Sequence, residues 1–240
     1  MPMTDQAGRV TAPAPRRRGP ASTESGQRSR DRILKAAVEL ITEAGIDQVR
    51  VAEIARRAGM SSGQVMYYFT GKEHILLEAL AWRDYEDIKQ TRAALAKVTG
   101  AWRQLERFIG FYLPTSSADP AWILWIEAWA RAPHNRQVSL FLEELYTLWR
   151  EELAAIVARG VEEGAFAPPA AIDDFTLRFA ALLDGLAILR LRHMHQPSRK
   201  RLTELAMTTA RAELARDTTA APAGSGAAAA DGKFRPPPRA

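Results

Sequence analysis

Residues 51–73, VAEIARRAGMSSGQVMYYFTGKE, constrain the fold of this 240-residue chain more than any other stretch. Val51, Ile54, Ala55 and Ala58 recur at helical spacing on one apolar face, and Gly59 stands where a left-handed residue would end the helix. Ser61 lies three residues before Gln64, the spacing of a capping box that opens a second helix. Ala55 is small enough for the two helices to cross closely near Val65. Two short helices joined by a glycine turn predict a helix-turn-helix, whose second helix enters the major groove of DNA. The same pattern also fits an ordinary two-helix corner of an all-helical protein.

The flanking sequence extends this head. Ile33, Ala37, Leu40, Ile41 and Ala44 make a stripe on a preceding helix ended by Gly45. Thr70 and Glu73 form a second capping box, opening a long helix through Leu76, Leu77, Leu80 and Ile88. Three helices around one small core are expected over 25–71. Further helices are expected at about 101–113, 119–131, 136–163, 172–195 and 199–216, with breaks at Pro114, Pro133, Pro168, Pro169 and Pro197. No segment alternates with strand period, so the fold class is all-α, with a larger helical body over 72–217.

The formal charge is +5, and its placement matters more than its total. Residues 1–32 carry seven arginines against Asp5, Glu24 and Asp31, while the central chain is close to neutral. Nucleic-acid contact is therefore expected near the N-terminal end. Residues 1–24 and 218–240 are rich in Pro, Gly, Ala and Ser and are expected to be disordered tails. Residues 16–18, all arginine, are either a solvated tail or an arm that follows the DNA backbone. The absence of cysteine excludes disulfides, thiolate metal sites and cysteine nucleophiles. No apolar run is long enough for a membrane span or a secretory leader, and a cytoplasmic protein is expected. His74, His134, His193 and His195 are too scattered for a metal site, and no catalytic serine, phosphate-loop or dinucleotide motif occurs. Neither enzymatic activity nor a cofactor is expected.

The helix, the AGxS turn at 58–61, the aromatic-rich second helix and Lys72–Glu73 together resemble the signature of the TetR family of transcriptional regulators. Arg131 and Pro133 after a tryptophan-rich helix, with ALLDGL at 181–186, are similar to its BetI-type subgroup. The resemblance implies a DNA-binding head, a body that holds a small molecule, and a dimer formed by the last two helices. It implies DNA contacts from Arg50, Ser61, Ser62, Gly63, Gln64, Met66, Tyr68 and Lys72. Gln64 is the expected base reader, since its amide pairs bidentately with adenine, or else it serves only its cap. Tyr68 is expected at a phosphate or sugar, and Tyr67 inside the head. Met66 replaces a usual tyrosine and offers apolar contact only; Gly71 replaces a usual polar cap, leaving that cap to Thr70.

In the body, Trp122, Trp125 and Trp129 recur at spacings of three and four, an aromatic face on one helix. Rings at such spacing pack a core or wall a cavity. The expected wall is Phe108, Tyr112, Trp125, Trp129, Tyr146 and Phe179, suited to an apolar, aromatic or cationic ligand, with Glu127 or Asp184 as partner of a positive group. For the dimer seam, Phe175, Leu182, Leu186 and Leu189 lie on one helix and Leu202 and Leu205 on the next. A seam around Gly185 would justify a glycine in mid-helix; a buried core helix is the alternative. The expected function is that of a homodimeric, effector-released repressor of a roughly palindromic operator in double-stranded DNA. An architectural DNA-binding protein without effector, a ligand-dependent activator, or a helical enzyme or carrier are the alternatives.

Overall fold

The computed structural model describes residues 24–191 and 197–215. The expected tails other than Glu24, the arginines at 16–18, and His193 and His195 lie outside the described residues. Within them the chain forms nine α-helices and no strand. They are α1 (Glu24–Ala44), α2 (Val51–Ala58), α3 (Ser62–Tyr68), α4 (Lys72–Leu95), α5 (Ala101–Tyr112), α6 (Pro120–Trp129), α7 (Arg136–Glu162), α8 (Ile172–Leu191) and α9 (Arg199–Leu214). A 3₁₀ turn, Ala132–His134, joins α6 to α7.

Local chemistry explains most of these boundaries. Gly45 ends α1 with φ of +77°, a conformation that other residues rarely adopt. Ser61 and Gln64 form the expected capping box: the Ser61 hydroxyl accepts from the Gln64 N–H at 3.2 Å, and Gln64 Oε1 accepts from the Ser61 N–H at 2.8 Å. Asp119, Asn135 and Ser198 cap α6, α7 and α9.

The start of α4 departs from expectation. Gly71, not Thr70, is its N-cap, so Glu73 falls one position too early to complete a box. His74 occupies that position and its Nδ1 accepts from the Thr70 N–H at 3.1 Å. Glu73 instead accepts from the Asn135 amide at 3.2 Å, which ties α4 to the cap of α7.

The core of the head is not closed by three helices alone. Ile33, Ile41, Ile54, Val65, Phe69 and Leu76 are fully buried, and the same cluster runs on through Leu124, Trp125 and Ala128 of α6 and Val138, Leu142 and Leu145 of α7. Helices as short as α2 and α3 cannot cover their own apolar faces, so α4, α6 and α7 supply the lid. A second cluster joins Leu105, Phe108, Leu153, Phe166, Phe175 and Leu183 with Leu202 and Leu214. In it Phe166 lies on α7 at Gly160, where a Cβ would fall 2.2 Å from its ring.

This second core takes residues expected at the dimer seam. Phe175, Leu186 and Leu202 are buried inside the subunit, and Leu182 is partly so. The exposed strip of α8 runs instead through Leu177, Ala181, Gly185, Ile188 and Leu189, and Leu205 of α9 is exposed as well. A helix apolar over most of its circumference does not reveal which face points inward. Phe175, Phe179, Leu183 and Leu186 lie along the inner ridge, and the residues two positions away face out. Among the described residues no helix is long and apolar enough to cross a membrane.

Candidate ligand cavity and nucleic-acid interface

At the tip of the head, Val65 and Phe69 anchor α3 in the core, leaving Ser61, Ser62, Gly63, Gln64 and Met66 exposed. Tyr67 is 62% exposed, and Tyr68 packs against the head core. The expectation for this pair is therefore reversed for Tyr67. Tyr68 is three residues from Val65 and shares its face, whereas Tyr67 is two residues away and points outward. Arg50 is exposed at the N-cap of α2, its N–H donating to Glu53 Oε2 at 2.8 Å. Lys72 Nζ donates to the Asp47 carbonyl at 3.2 Å, across the head from α4 to the α1–α2 loop. The carbonyl of Gln64 is already engaged in its cap, so its Nε2 is the freer half of the amide.

The body holds a partly open cavity of about 260 Å³ between α4, α5, α6, α7 and α8, with Arg199 of α9 also on its lining. Trp122, Trp125 and Trp129 come from α6, Tyr112 from α5, Tyr146 and Trp149 from α7, Asp84 and Asp87 from α4, and Asp184 from α8. The rings meet edge to face: Tyr112 with Trp149 at 5.5 Å, Tyr112 with Trp122 at 5.8 Å, and Trp125 with Tyr146 at 6.3 Å between centroids. Phe108 and Phe179, expected on the wall, are core instead. Phe108 backs Trp149 and Tyr112 from behind, and Phe179 stacks on Phe175.

Two carboxylates sit among these rings. Asp84 is 1% exposed and takes the indole N–H of Trp125 on Oδ1 at 3.1 Å and that of Trp149 on Oδ2 at 3.3 Å. Burial pushes its pKa up to about 7, against the two indole hydrogen bonds. Burial likewise raises Asp87, to about 6. Asp184 accepts from the Tyr112 hydroxyl at 2.7 Å and from the Tyr146 hydroxyl, and burial raises its pKa despite both bonds. Desolvation and the Asp184 charge hold both phenols well above their ordinary value, so they remain donors. The lining has four aspartates against two arginines, one of which, Arg83, pairs with Asp87 at 2.9 Å, and aromatic faces stand among them. Such a chamber suits an organic cation. The role of Asp84 escaped sequence reading, because a single aspartate on a long helix carries no pattern.

Glu127, expected as a partner for a positive ligand, turns away from the cavity. Its Oε1 accepts from the Ile46 N–H at 3.2 Å in the α1–α2 loop. Arg131 donates to Glu127 Oε2 at 2.9 Å and to Asp47 Oδ1 at 2.6 Å. Helix α6 thus presents its tryptophans to the cavity and its charged end to the loop that leads into the helix-turn-helix.

Two family models match the chain. Residues 33–79 match the family model of bacterial regulatory proteins of the tetR family, and residues 101–215 match that of the C-terminal domain of BetI-type transcriptional repressors. The HTH-type transcriptional regulator BetI of Escherichia coli O127:H6 is 32% identical over 164 residues, 63% of this chain and 82% of that protein. A transcriptional regulator from Saccharomonospora viridis, solved in complex with choline, superposes with a TM-score of 0.71 at 27% identity, covering 78% of this chain and 98% of the other. A TetR regulator from Haloarcula marismortui has the same fold, with a TM-score of 0.70 at 19% identity over 78% of this chain and 99% of the other.

Proposed function

The chain belongs to the TetR family of ligand-responsive DNA-binding regulators, with a BetI-type C-terminal domain, and we propose that it is a homodimeric repressor released from its operator by a small quaternary ammonium cation. One observation carries the choice of effector: Asp84 and Asp184 are set among Trp122, Trp125, Trp149, Tyr112 and Tyr146 in one cavity. Ring faces attract a cation by about 0.5–2 kcal/mol each once water is excluded, and a carboxylate supplies the counter-charge. The choline bound by the Saccharomonospora viridis relative supports the same chemistry.

The outward strip of α8 and α9 forms the dimer seam. Gly185 supports this, since among the described residues no other helix comes within 4 Å of where its Cβ would be, leaving room for a partner helix. Two such helix pairs build a four-helix bundle and hold the two heads at half-site spacing. Ser61, Ser62 and Gly63 then meet the phosphate backbone, with Arg50 and Lys72 as flanking charges and Tyr68 at the edge of the groove. Gln64, Met66 and the exposed Tyr67 face the bases.

Effector binding draws Trp125 and Trp129 toward the cation and shifts α6. Glu127 and Arg131 carry that shift to Ile46 and Asp47, and Lys72 shares the Asp47 backbone. A cation that binds the shifted arrangement better weakens operator binding by linkage.

The test uses the full-length protein, choline and the neutral isostere 3,3-dimethyl-1-butanol. Calorimetry should show choline binding and little binding of the alcohol, and choline alone should release labelled operator. Equal binding of the two would remove the cation from the reading. Tighter operator binding with choline would make the protein a ligand-dependent binder instead.

A further inference from the structure

Beside the acidic chamber lies a groove of opposite character. It has a volume of about 530 Å³ and is lined by Arg103, Arg107 and Arg199, with Glu106 as the one acidic side chain among the described residues. Phe111 and Arg199 line both spaces, so the groove opens at the rim of the chamber. The exposed Arg107 guanidinium lies 4.9 Å from the Phe111 ring centroid, at that boundary.

The charges here are poorly balanced. Burial lowers the pKa of Arg199; Asp119 opposes that, and Arg107 and Arg190 add to it as like charges. Asp119 is already engaged, accepting from the N–H and hydroxyl of Thr115 and from the Ala121 N–H. Arg190 donates to the carbonyls of Thr115 and Pro197, which do not neutralise it. The Arg199 Nε is buried and has no hydrogen-bond partner among the described residues. Like-charged guanidiniums crowded in this way are held at a cost that an anion would relieve.

We propose that Arg107 and Arg199 form an anion subsite at the mouth of the chamber, and that the effector is bipolar, with an ammonium group between Asp84 and Asp184 and a carboxylate or phosphate at the arginines. This deepens the effector reading above and rests on it for the cationic end. A guanidinium pair suits planar carboxylates and phosphates, which accept two parallel N–H bonds. An effector that spans both sites would hold α4, α5, α6 and α9 together, the elements that carry Asp84, Phe111, the tryptophans and Arg199.

Calorimetry on the full-length protein with choline, carnitine, phosphocholine and inorganic phosphate tests the two ends separately. Carnitine or phosphocholine should bind about tenfold more tightly than choline, the gain of a charge-assisted bidentate contact. In Arg107→Gln and Arg199→Gln the ratio of the two affinities should fall towards one, with thermal unfolding and circular dichroism confirming the fold. Inorganic phosphate should compete with phosphocholine. Equal affinities in the unaltered protein, or an advantage that survives both substitutions together, overturns the subsite. A choline affinity raised by free phosphate to the level of phosphocholine retains the subsite but overturns the bipolar effector, because the anion then comes from solution. Failure of choline to bind at all sinks the chamber reading alone, and phosphate binding lost on Arg199→Gln still supports the arginine subsite.

Discussion

Arg131, two residues beyond the end of α6, donates to the Asp47 carboxylate at 2.6 Å, joining the helix that carries Trp122, Trp125 and Trp129 to the loop before the helix-turn-helix. The pair lies partly in solvent, with Asp47 84% exposed, so its direct worth to stability is below about 1 kcal/mol. Its value is positional. Arg131→Ala should leave unfolding resistance and choline affinity close to those of the unaltered protein while reducing the effect of choline on operator affinity several-fold. Operator titrations with and without saturating choline give this coupling, normally about 1–3 kcal/mol. An undiminished coupling would show that the Arg131–Asp47 pair does not transmit the signal.

The pKa of Asp84, about 7, predicts a pH dependence whose sign follows from the unfolded value of 3.8. Between these values the folded chain holds a proton that the unfolded chain has lost, so the contribution of Asp84 to stability falls as pH rises and is constant above about 7. The full span corresponds to about 4 kcal/mol. The stability difference between the unaltered protein and Asp84→Asn, followed by denaturant titration from pH 4.5 to 8, should change in that sense. A cation favours the ionised carboxylate, so choline should bind more tightly as pH rises through 7, by up to about tenfold per unit below it. A flat binding profile would place the cation away from Asp84.

Two adjacent regions of α8 should respond oppositely to a charge. Leu189 is 39% exposed on the outward strip, and Leu189→Glu should produce a folded monomer by ultracentrifugation. Leu186 is 8% exposed in the subunit's own core, and Leu186→Glu should unfold the chain, since an unpaired buried charge costs several kcal/mol. A fully dimeric Leu189→Glu protein would move the seam elsewhere.

On the head, Gln64→Ala should alter preference at one or two operator positions by about 1–3 kcal/mol. Lys72→Ala should weaken all sequences alike and lower the salt slope by about one. Tyr67→Ala should weaken operator binding without destabilising the head, because the ring is largely in solvent. Binding across an operator panel at several salt concentrations separates the three. A Gln64 variant with an unchanged preference profile would leave that side chain as a cap only.

The sequence made the helices legible because their punctuation is local: Gly45, Gly59, the Ser61–Gln64 box and the prolines act within one turn of themselves. It also exposed the aromatic face of α6. What it hid depends on contacts across long separations. Thr70 and Glu73 have box spacing, yet Asn135, 62 residues away from Glu73, takes the carboxylate. Glu127 has the charge for a ligand and is taken by the backbone of Ile46. Phe179 and Trp129 look equivalent on a helical wheel, and only the neighbour each meets makes one of them core and the other wall.

The core that runs from α1–α3 into α6 and α7 limits how this molecule can be taken apart. A chimaera joining residues 24–71 to a foreign body would leave the apolar surface now covered by Leu124, Ala128 and Leu142 facing water. Grafting the head would therefore need those partners to travel with it. Amide hydrogens of α2 should exchange with solvent at the pace of α6 and α7, as parts of one cooperative unit.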